Sequence, residues 1–509
     1  MLIPKSGIAL TAFLVLAIAS APASASATAV SASQASIVAA PPSLLDARIA
    51  RVEASLLPKM GLVGMSAEMS LAERIRHYKV PGLSIAVIDR GRLAWARAYG
   101  IAAPGKRLTT ETLLQAASIS KPVFAAGALQ LVHRGQIDLD RPANSFLRSW
   151  RVPDSELASG NAVTLRQLLS HTAGLSVHGF GGYAQGNPVP TLRQLLNGAD
   201  PANSKPVRLT QLPGKAWRYS GGGTSVAQQL VEDVAGAPIA NVLQASILTA
   251  ADMTNSSFDQ PMPAAKTSLA AFAHADDGVP VVGRWHTYPE QAAAGLWTTP
   301  TDLARFALWV IDGARASNGN NEQRFVASHL LKPQPGIQTD TATKMGLGLF
   351  LKGEGRSFHF SHGGSNKGFR AYLIGFPETG QGAAVMVNGD NGSPLIQEML
   401  RAVAQEYAWP ERLREVIVPV KITDAQMEIV SGIWRWGADK NDQLIIVRTR
   451  DGLTAQLPGE PPMRLVSTDS RTFVSVETGT RFRSDGDDLA ITSASGRTVA
   501  AKRQAAKKN

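Results

Sequence analysis

Apolar and polar positions follow two textures along the chain. In the first, strand-like runs bracket a helical middle. Residues 83–88 and 93–99 are apolar runs either side of Asp89-Arg-Gly-Arg92, the spacing of a hairpin. Residues 371–376 and 383–387 flank Pro377-Glu-Thr-Gly380 in the same way. Between them the period lengthens. Ser70 and Glu73 form a capping box for a helix over 66–78, with Leu71, Ile75 and Tyr78 on one face. In 122–132 Gln130 is the only polar side chain, and a helix apolar on every face belongs inside a large domain. Further helices are predicted over 164–169, 225–234, 238–248, 300–310 and 394–407, the last with Ser393 as cap and Pro394 at its first position. Strands at both ends with helices between them predict an α+β domain built on a mostly antiparallel sheet.

The second texture begins after Pro410. Short alternating runs at 433–436, 444–450, 453–457, 473–476, 480–483 and 489–492 are separated by turn residues, including Asp451-Gly452. They predict a small all-β domain over 423–502, joined by a segment at 412–420 and followed by a basic tail at 503–509.

Residues 1–27 have the pattern of an export signal: Lys5, an apolar run over 8–19 that is short of the ~20 residues of a membrane span, and small residues that place cleavage near Ala25 or Ala27. The expectation is a periplasmic or secreted protein with no transmembrane segment in the mature chain. Residues 28–65 form a lead-in, Ala/Ser-rich and flexible as far as Pro42. The absence of cysteine excludes disulfides, thiolate metal sites and cysteine nucleophiles. The net charge of +11 suggests nucleic acid until it is located, because Lys5 and the basic residues from Arg497 to Lys508 hold much of it. No nucleic-acid partner is expected.

H-E-x-x-H, P-loop, G-x-S-x-G and dinucleotide fingerprints are all missing. Ser118-Ile-Ser-Lys121 is the one S-x-x-K in the chain. Residues three apart share a helix face, so the Lys121 amine can lie beside the Ser118 hydroxyl. A serine becomes a nucleophile when a neighbouring base takes its proton, and an amine serves where burial and a positive helix end disfavour its charged form. The same helix end offers N–H groups to an oxyanion. Alone, the tetrapeptide reads more readily as a serine that caps a helix.

The surrounding motifs add a resemblance. Leu113-Leu-Gln-Ala-Ala-Ser-Ile-Ser-Lys-Pro122, Leu168-Leu-Ser-His-Thr-Ala-Gly-Leu175, Trp217-Arg-Tyr-Ser-Gly-Gly-Gly223, Gly295-Leu-Trp-Thr-Thr-Pro-Thr-Asp-Leu303 and Phe360-Ser-His-Gly-Gly-Ser365 resemble the ordered landmarks of the serine β-lactamase-related hydrolases. That family comprises class C β-lactamases, penicillin-binding DD-peptidases, D-aminopeptidases and family VIII esterases. The likeness runs over 66–410 and implies a β-lactamase/transpeptidase-like fold with a helical subdomain. It also implies hydrolysis of an ester or amide through an acyl-enzyme, without metal or organic cofactor, on a small-molecule or peptide substrate such as one derived from the cell wall.

Position by position, the resemblance makes Ser118 the nucleophile, Lys121 its partner and Tyr219 a proton shuttle. His362-Gly363-Gly364 becomes the strand element lining the site, and the Ser365 N–H joins that of Ser118 in the oxyanion hole. Gly221 stands where the family's asparagine usually holds a substrate carbonyl, and His362 stands in place of a lysine, leaving a pH-dependent charge opposite a substrate carboxylate. Both departures weigh against β-lactamase activity more than against serine hydrolysis, and His362 together with the expected export favours D-amino-acid peptides or esters over penicillins. The alternatives are a β-lactamase and a weakly catalytic penicillin- or wall-binding sensor. His171 reads as a structural loop residue, His359 as facing away from His362, Phe180 and Tyr183 as cleft wall, and Trp217, Trp297 and Trp309 as core or cleft wall.

Overall fold

The computed structural model describes residues 43–504 apart from 64–67, 159, 317–320, 336–342, 412–414, 438–441, 451, 459–461, 494–495 and 497. The export signal, the lead-in up to Pro42 and residues 505–509 therefore lie outside the described residues.

An eight-stranded sheet organises the first domain. Its strands are β1 (Gly82–Asp89), β2 (Arg92–Ala103), β3 (Lys106–Arg107), β4 (Lys344–Met345), β5 (Phe350–Lys352), β6 (His359–Asn366), β7 (Phe369–Phe376) and β8 (Gln381–Val387), in the spatial order β3-β2-β1-β8-β7-β6-β5-β4. The two predicted hairpins are its centre, joined by antiparallel pairing of β1 with β8. Arg90 and Gly91 have φ of 52° and 73°, which lets the first hairpin close in two residues.

Alternation along these strands divides the core. Leu83, Ile85, Val87 and Val385 pack against α1 (Leu44–Ala54), α2 (Leu71–His77) and α6 (Gly392–Glu406). Ala86, Ile88, Ala384 and Met386 turn to the other face, towards α3 (Ser120–His133) and α5 (Pro300–Arg315). The helix apolar on every side is α3, buried from Ser120 to Leu131.

A closed barrel of eight strands follows: β9 (Gly432–Arg435), β10 (Gln443–Thr449), β11 (Gly452–Gln456), β12 (Met463–Ser467), β13 (Thr472–Ser475), β14 (Arg481–Asp485), β15 (Asp488–Thr492) and β16 (Thr498–Arg503). Trp434, Phe473 and Phe482 are fully buried at its centre.

Several local expectations change. The strands β12 and β16 were not among the predicted runs, because Met463-Arg-Leu-Val-Ser and the basic Thr498–Arg503 carry weak strand signals. The basic end is accordingly no solvated tail as far as Arg503. Trp434 pairs with Arg503 in the ladder that shuts the barrel, and the Arg503 guanidinium lies 5.1 Å from the Trp434 ring centroid. Helix α4 (Gly221–Ala235) starts four residues earlier than predicted, and α6 starts at Gly392 with no side-chain cap from Asn391. The 238–248 helix is an α-turn, Ile239–Leu243, that widens into a π-turn, Gln244–Leu248.

The lead-in from Ser43 onward is also structured. Arg48 and Arg51 of α1 pair with Glu406 of α6, and Met60–Leu62 forms a parallel pair with Glu415–Ile417. The Met60 N–H donates to Val476 O of the barrel, which ties the two domains together beside this strand.

Candidate active site

Ser118 sits in a single 3-10 turn, Ala117–Ile119, that feeds into α3. Ala117 holds φ at +50°, a left-handed value costly for a residue with a Cβ and maintained by its surroundings. Ser120 supplies part of that support: its hydroxyl donates to Ala117 O and accepts the Leu296 N–H at 3.0 Å. The turn thereby aims Ser118 into an open cavity while Lys121 stays buried behind it. The Lys121 Nζ donates to Ser118 Oγ at 3.1 Å and to Ala293 O at 2.7 Å. The three-residue spacing does bring the amine to the hydroxyl.

Tyr219 lies in a nest of rings. The Lys121 Nζ is 5.0 Å from its ring centroid, and the rings of His171, His178 and His362 are 4.3, 5.0 and 6.3 Å away. His171 is buried with φ of +60°, and its Nδ1 accepts the Ser220 N–H at 3.3 Å. It thus holds the segment carrying Tyr219, and burial depresses its pKa well below the ordinary histidine value. Ser220 caps α4, accepting the Gly223 N–H at 2.8 Å and donating to Ser176 O.

Gly221 is absent from the cavity lining. Its N–H donates to His178 O at 3.0 Å, and a Cβ there would come within 2.9 Å of the Phe180 ring and 3.2 Å of His178 O. Phe180, His178 and Gly179 form that wall instead. Tyr183, expected in the cleft wall, is buried in a two-residue pairing with Thr287, and its hydroxyl accepts the Asn203 N–H.

Strand β6 supplies the opposite wall. Its partner β5 pairs only with residues 359–361, so β6 from His362 onward keeps a ladder neighbour on one side alone, β7. Gly364 runs so close to the turn that carries Ser118 that a Cβ would lie 2.1 Å from Ala116 O, whereas a Cβ at Gly363 would meet only ordinary contacts from 3.6 Å. Glycine at 364 is thus demanded by the protein's own backbone and not by a substrate lying on the strand. This close passage sets Ser365 beside Ser118 on the cavity wall.

His362 differs from expectation in its charge. Its Nδ1 lies 2.6 Å from Gly363 O, and a carbonyl only accepts, so Nδ1 carries the hydrogen and Nε2 is a bare acceptor. Burial, with Lys121 adding to it, pushes its pKa down to about 3, so the ring is neutral in ordinary buffers and supplies no cation for a carboxylate. His359 faces the other side of the sheet, as the odd offset requires.

Sequence reasoning missed two groups here. His178, exposed and stacked on Tyr219, lay in a loop without periodicity. Glu290 is fully buried with neither carboxyl oxygen bonded to a protein group, and burial pushes its pKa up to about 8, against the pull of Lys121. Its backbone oxygen accepts the N–H groups of Ala293 and Ala294, in the turn whose carbonyl receives Lys121. Tyr-Pro-Glu-Gln carries no pattern that would single it out.

Ser118, Lys121, Tyr219, His362, Gly363, Gly364 and Ser365 all line one cavity of about 690 Å3. Phe180, Trp217, Phe350 and Tyr372 complete an aromatic wall, and among the described residues Lys121, His178 and His362 are the only basic side chains in the lining, which holds no carboxylate. Among the described residues no group of histidines and carboxylates is arranged to hold a metal ion.

A family described as Beta-lactamase matches residues 67–408, most of the chain and the whole site. The chain belongs to the β-lactamase family. It is 27% identical over 362 residues to Penicillin-binding protein 4 of Amycolatopsis lactamdurans, covering 68% of this chain and 91% of that protein. It is 26% identical over 318 residues to Esterase EstB of Burkholderia gladioli, covering 57% of this chain and 76% of that one.

In fold, the octameric penicillin-binding protein homologue from Pyrococcus abyssi superposes with a TM-score of 0.57 at 20% identity, over 85% of this chain and 98% of that one. The D-alanine carboxypeptidase AmpC of Burkholderia cenocepacia gives 0.50 at 20% identity, over 65% and 96%. The protein is therefore a β-lactamase-family serine hydrolase with an α+β domain of that fold followed by an eight-stranded barrel.

Proposed function

We propose that this hydrolase cleaves an ester or amide whose acyl group is uncharged, through a covalent intermediate on Ser118. The Ser118 Oγ attacks the carbonyl carbon while its proton passes to Lys121 Nζ. The oxyanion is held by the N–H groups of Ser118 and Ser365. The C–O or C–N bond then breaks, and the alcohol or amine leaves with a proton relayed from Lys121 by way of Tyr219. Water attacks the acyl-enzyme with its proton taken by the same pair, and the acid departs.

The observation that carries this reading is the 3.1 Å hydrogen bond from Lys121 to Ser118 inside a cavity whose walls are aromatic and nearly uncharged. Such walls suit an ester, or a D-amino-acid peptide whose charge lies away from the scissile bond. They suit penicillins less, since Phe180 fills the place of a carbonyl-holding side chain at 221 and His362 is neutral. The esterase named among the relatives favours the same side.

A panel of p-nitrophenyl butyrate, a D-amino-acid anilide, a D-Ala-D-Ala peptide and nitrocefin tests it. The expected result is ester turnover abolished by Ser118→Ala, with nitrocefin slower by about 100-fold, on the scale of lost polar substrate contacts. Turnover surviving in Ser118→Ala, or binding without turnover of any substrate, overturns it. Export through residues 1–27 belongs to the same proposal and is tested by amino-terminal sequencing of the mature chain. Among the described residues no helix is long and apolar enough to cross a membrane.

A further inference from the structure

Several parts of the site rest on one short stretch, residues 290–296, which includes the helical turn Gln291–Ala294. The Ala293 carbonyl receives the Lys121 amine at 2.7 Å. The Ala294 carbonyl receives the side-chain amide of Asn366, the residue after Ser365 on β6, at 3.0 Å. The Leu296 N–H donates to the Ser120 hydroxyl at 3.0 Å, and the Leu296 carbonyl accepts the Ala116 N–H at 2.9 Å. Both ends of the turn carrying Ser118 are thereby tied to it.

Glu290 opens this stretch. Its backbone oxygen accepts the N–H groups of Ala293 and Ala294 at 3.0 and 2.8 Å. Its side chain is fully buried, and neither carboxyl oxygen is bonded to a protein group. A carboxyl in that position costs stability, and nothing in the turn's own hydrogen bonding calls for it.

The groups that face Glu290 single out one partner. Tyr183 and Tyr288 approach it, and burial raises the pKa of both, so neither brings a charge. From α4 comes Gln228, which is uncharged and accepts the Ala292 N–H at 3.0 Å. From α3 comes Lys121, the one cation among the described residues that acts on Glu290. The other ionisable groups that feel Lys121 are His171 and His362, both kept neutral by burial, so Glu290 is the only acid opposite the amine among the described residues.

From this placement we infer that Glu290 is a positioning residue for the acylation step and acts through Lys121: its carboxylate balances the ammonium that forms when Lys121 takes the Ser118 proton. A buried carboxylate behind a base stabilises the cation which that base becomes. The Glu290 proton leaves to solvent before the step. As Ser118 Oγ bonds to the substrate carbonyl carbon, the hydroxyl proton passes to Lys121 Nζ, and the ammonium later returns it to the departing alcohol or amine. The carboxylate makes the amine a stronger base and raises the pH at which it is free. The inference rests on the acyl-enzyme reading for the step it serves, but not for the pairing of the two groups.

The test is the pH dependence of kcat/KM for p-nitrophenyl butyrate in the full-length native chain and in Glu290→Gln, Glu290→Asp and Gln291→Ala. The last breaks a different tie of the same stretch, from Gln291 Nε2 to Phe258 O at 2.7 Å. In Glu290→Gln the acid limb is expected about one pH unit or more lower and the plateau about 3- to 10-fold lower, because the amine sheds its proton sooner and is a weaker base. Glu290→Asp should lie between that variant and the native chain, and Gln291→Ala should leave the limb in place whatever its effect on rate. Carbon-13 NMR of lysine-labelled chains, with the Lys121 signal assigned by its loss in Lys121→Arg, reads the same shift without turnover. The midpoint of the Lys121 titration should fall by about one pH unit or more in Glu290→Gln. A midpoint or an acid limb that stays in place in Glu290→Gln, or an equal shift in Gln291→Ala, overturns the inference. A shifted midpoint in a protein whose native chain turns over no ester leaves the pair of Glu290 and Lys121 standing and sinks the hydrolase reading instead.

Discussion

The Phe180 ring occupies the space that any side chain at Gly221 would need, with Cε2 2.9 Å from the position of a Cβ there. The missing asparagine is therefore not an empty place in the cavity but one taken over by a different wall. Gly221→Asn should fail to confer nitrocefin hydrolysis and should destabilise by about 1–3 kcal/mol through overpacking. Adding Phe180→Ala should recover part of that loss. Thermal unfolding of the two variants, with nitrocefin and ester rates beside it, checks this.

The neighbouring glycines separate two explanations of the strand motif. Gly364→Ala should displace β6 from the Ser118 turn and lower kcat/KM for the ester by about 100-fold or more, as expected when an oxyanion donor is lost. Gly363→Ala, which meets nothing closer than 3.6 Å, should stay folded and retain most of its activity unless the substrate itself requires that surface. Steady-state kinetics on the pair distinguishes a backbone requirement from a substrate requirement.

Lys121→Ala removes the amine that donates to Ser118 and should cost about 10²–10⁴-fold in kcat with little change in KM. Tyr219→Phe keeps the ring packed among the histidines and should also act on kcat rather than KM. A rise in KM alone for either variant would assign it to binding.

Buried titratable groups give stability a pH signature on both sides. His171 and His362 are neutral when folded and take up protons on unfolding, so their contribution is lost as pH falls below about 6.5. Glu290 behaves oppositely: its folded pKa of about 8 lies above the unfolded value, so unfolding releases a proton and stability declines as pH rises from about 4.5 towards 8. Glu290→Gln should remove the second slope and become progressively more stable than the native chain across that interval. Denaturant unfolding at a series of pH values reads both slopes.

How far the sequence disclosed this architecture depends on what each element needed. The hairpins at 89–92 and 377–380 were legible because their turns and flanking apolar runs are local features. The burial of α3 followed from its having no polar face. The barrel's closing strand was hidden, since Thr498–Arg503 is basic and weakly alternating and becomes a strand only when β9 and β15 offer it two ladders. At the site, the S-x-x-K spacing foretold the contact between Lys121 and Ser118. The neutrality of His362 and the burial of Glu290 depend on desolvation by segments far away in sequence, and no spacing rule carries that information.

The claim on which the rest depends is that Ser118 is the nucleophile. Intact-mass and peptide mass spectrometry after a fluorophosphonate probe measures it directly. The account predicts a single adduct, on Ser118, that is absent in Ser118→Ala and forms much more slowly in Lys121→Ala. An adduct on another serine, or equal labelling of the Ser118→Ala chain, would contradict it.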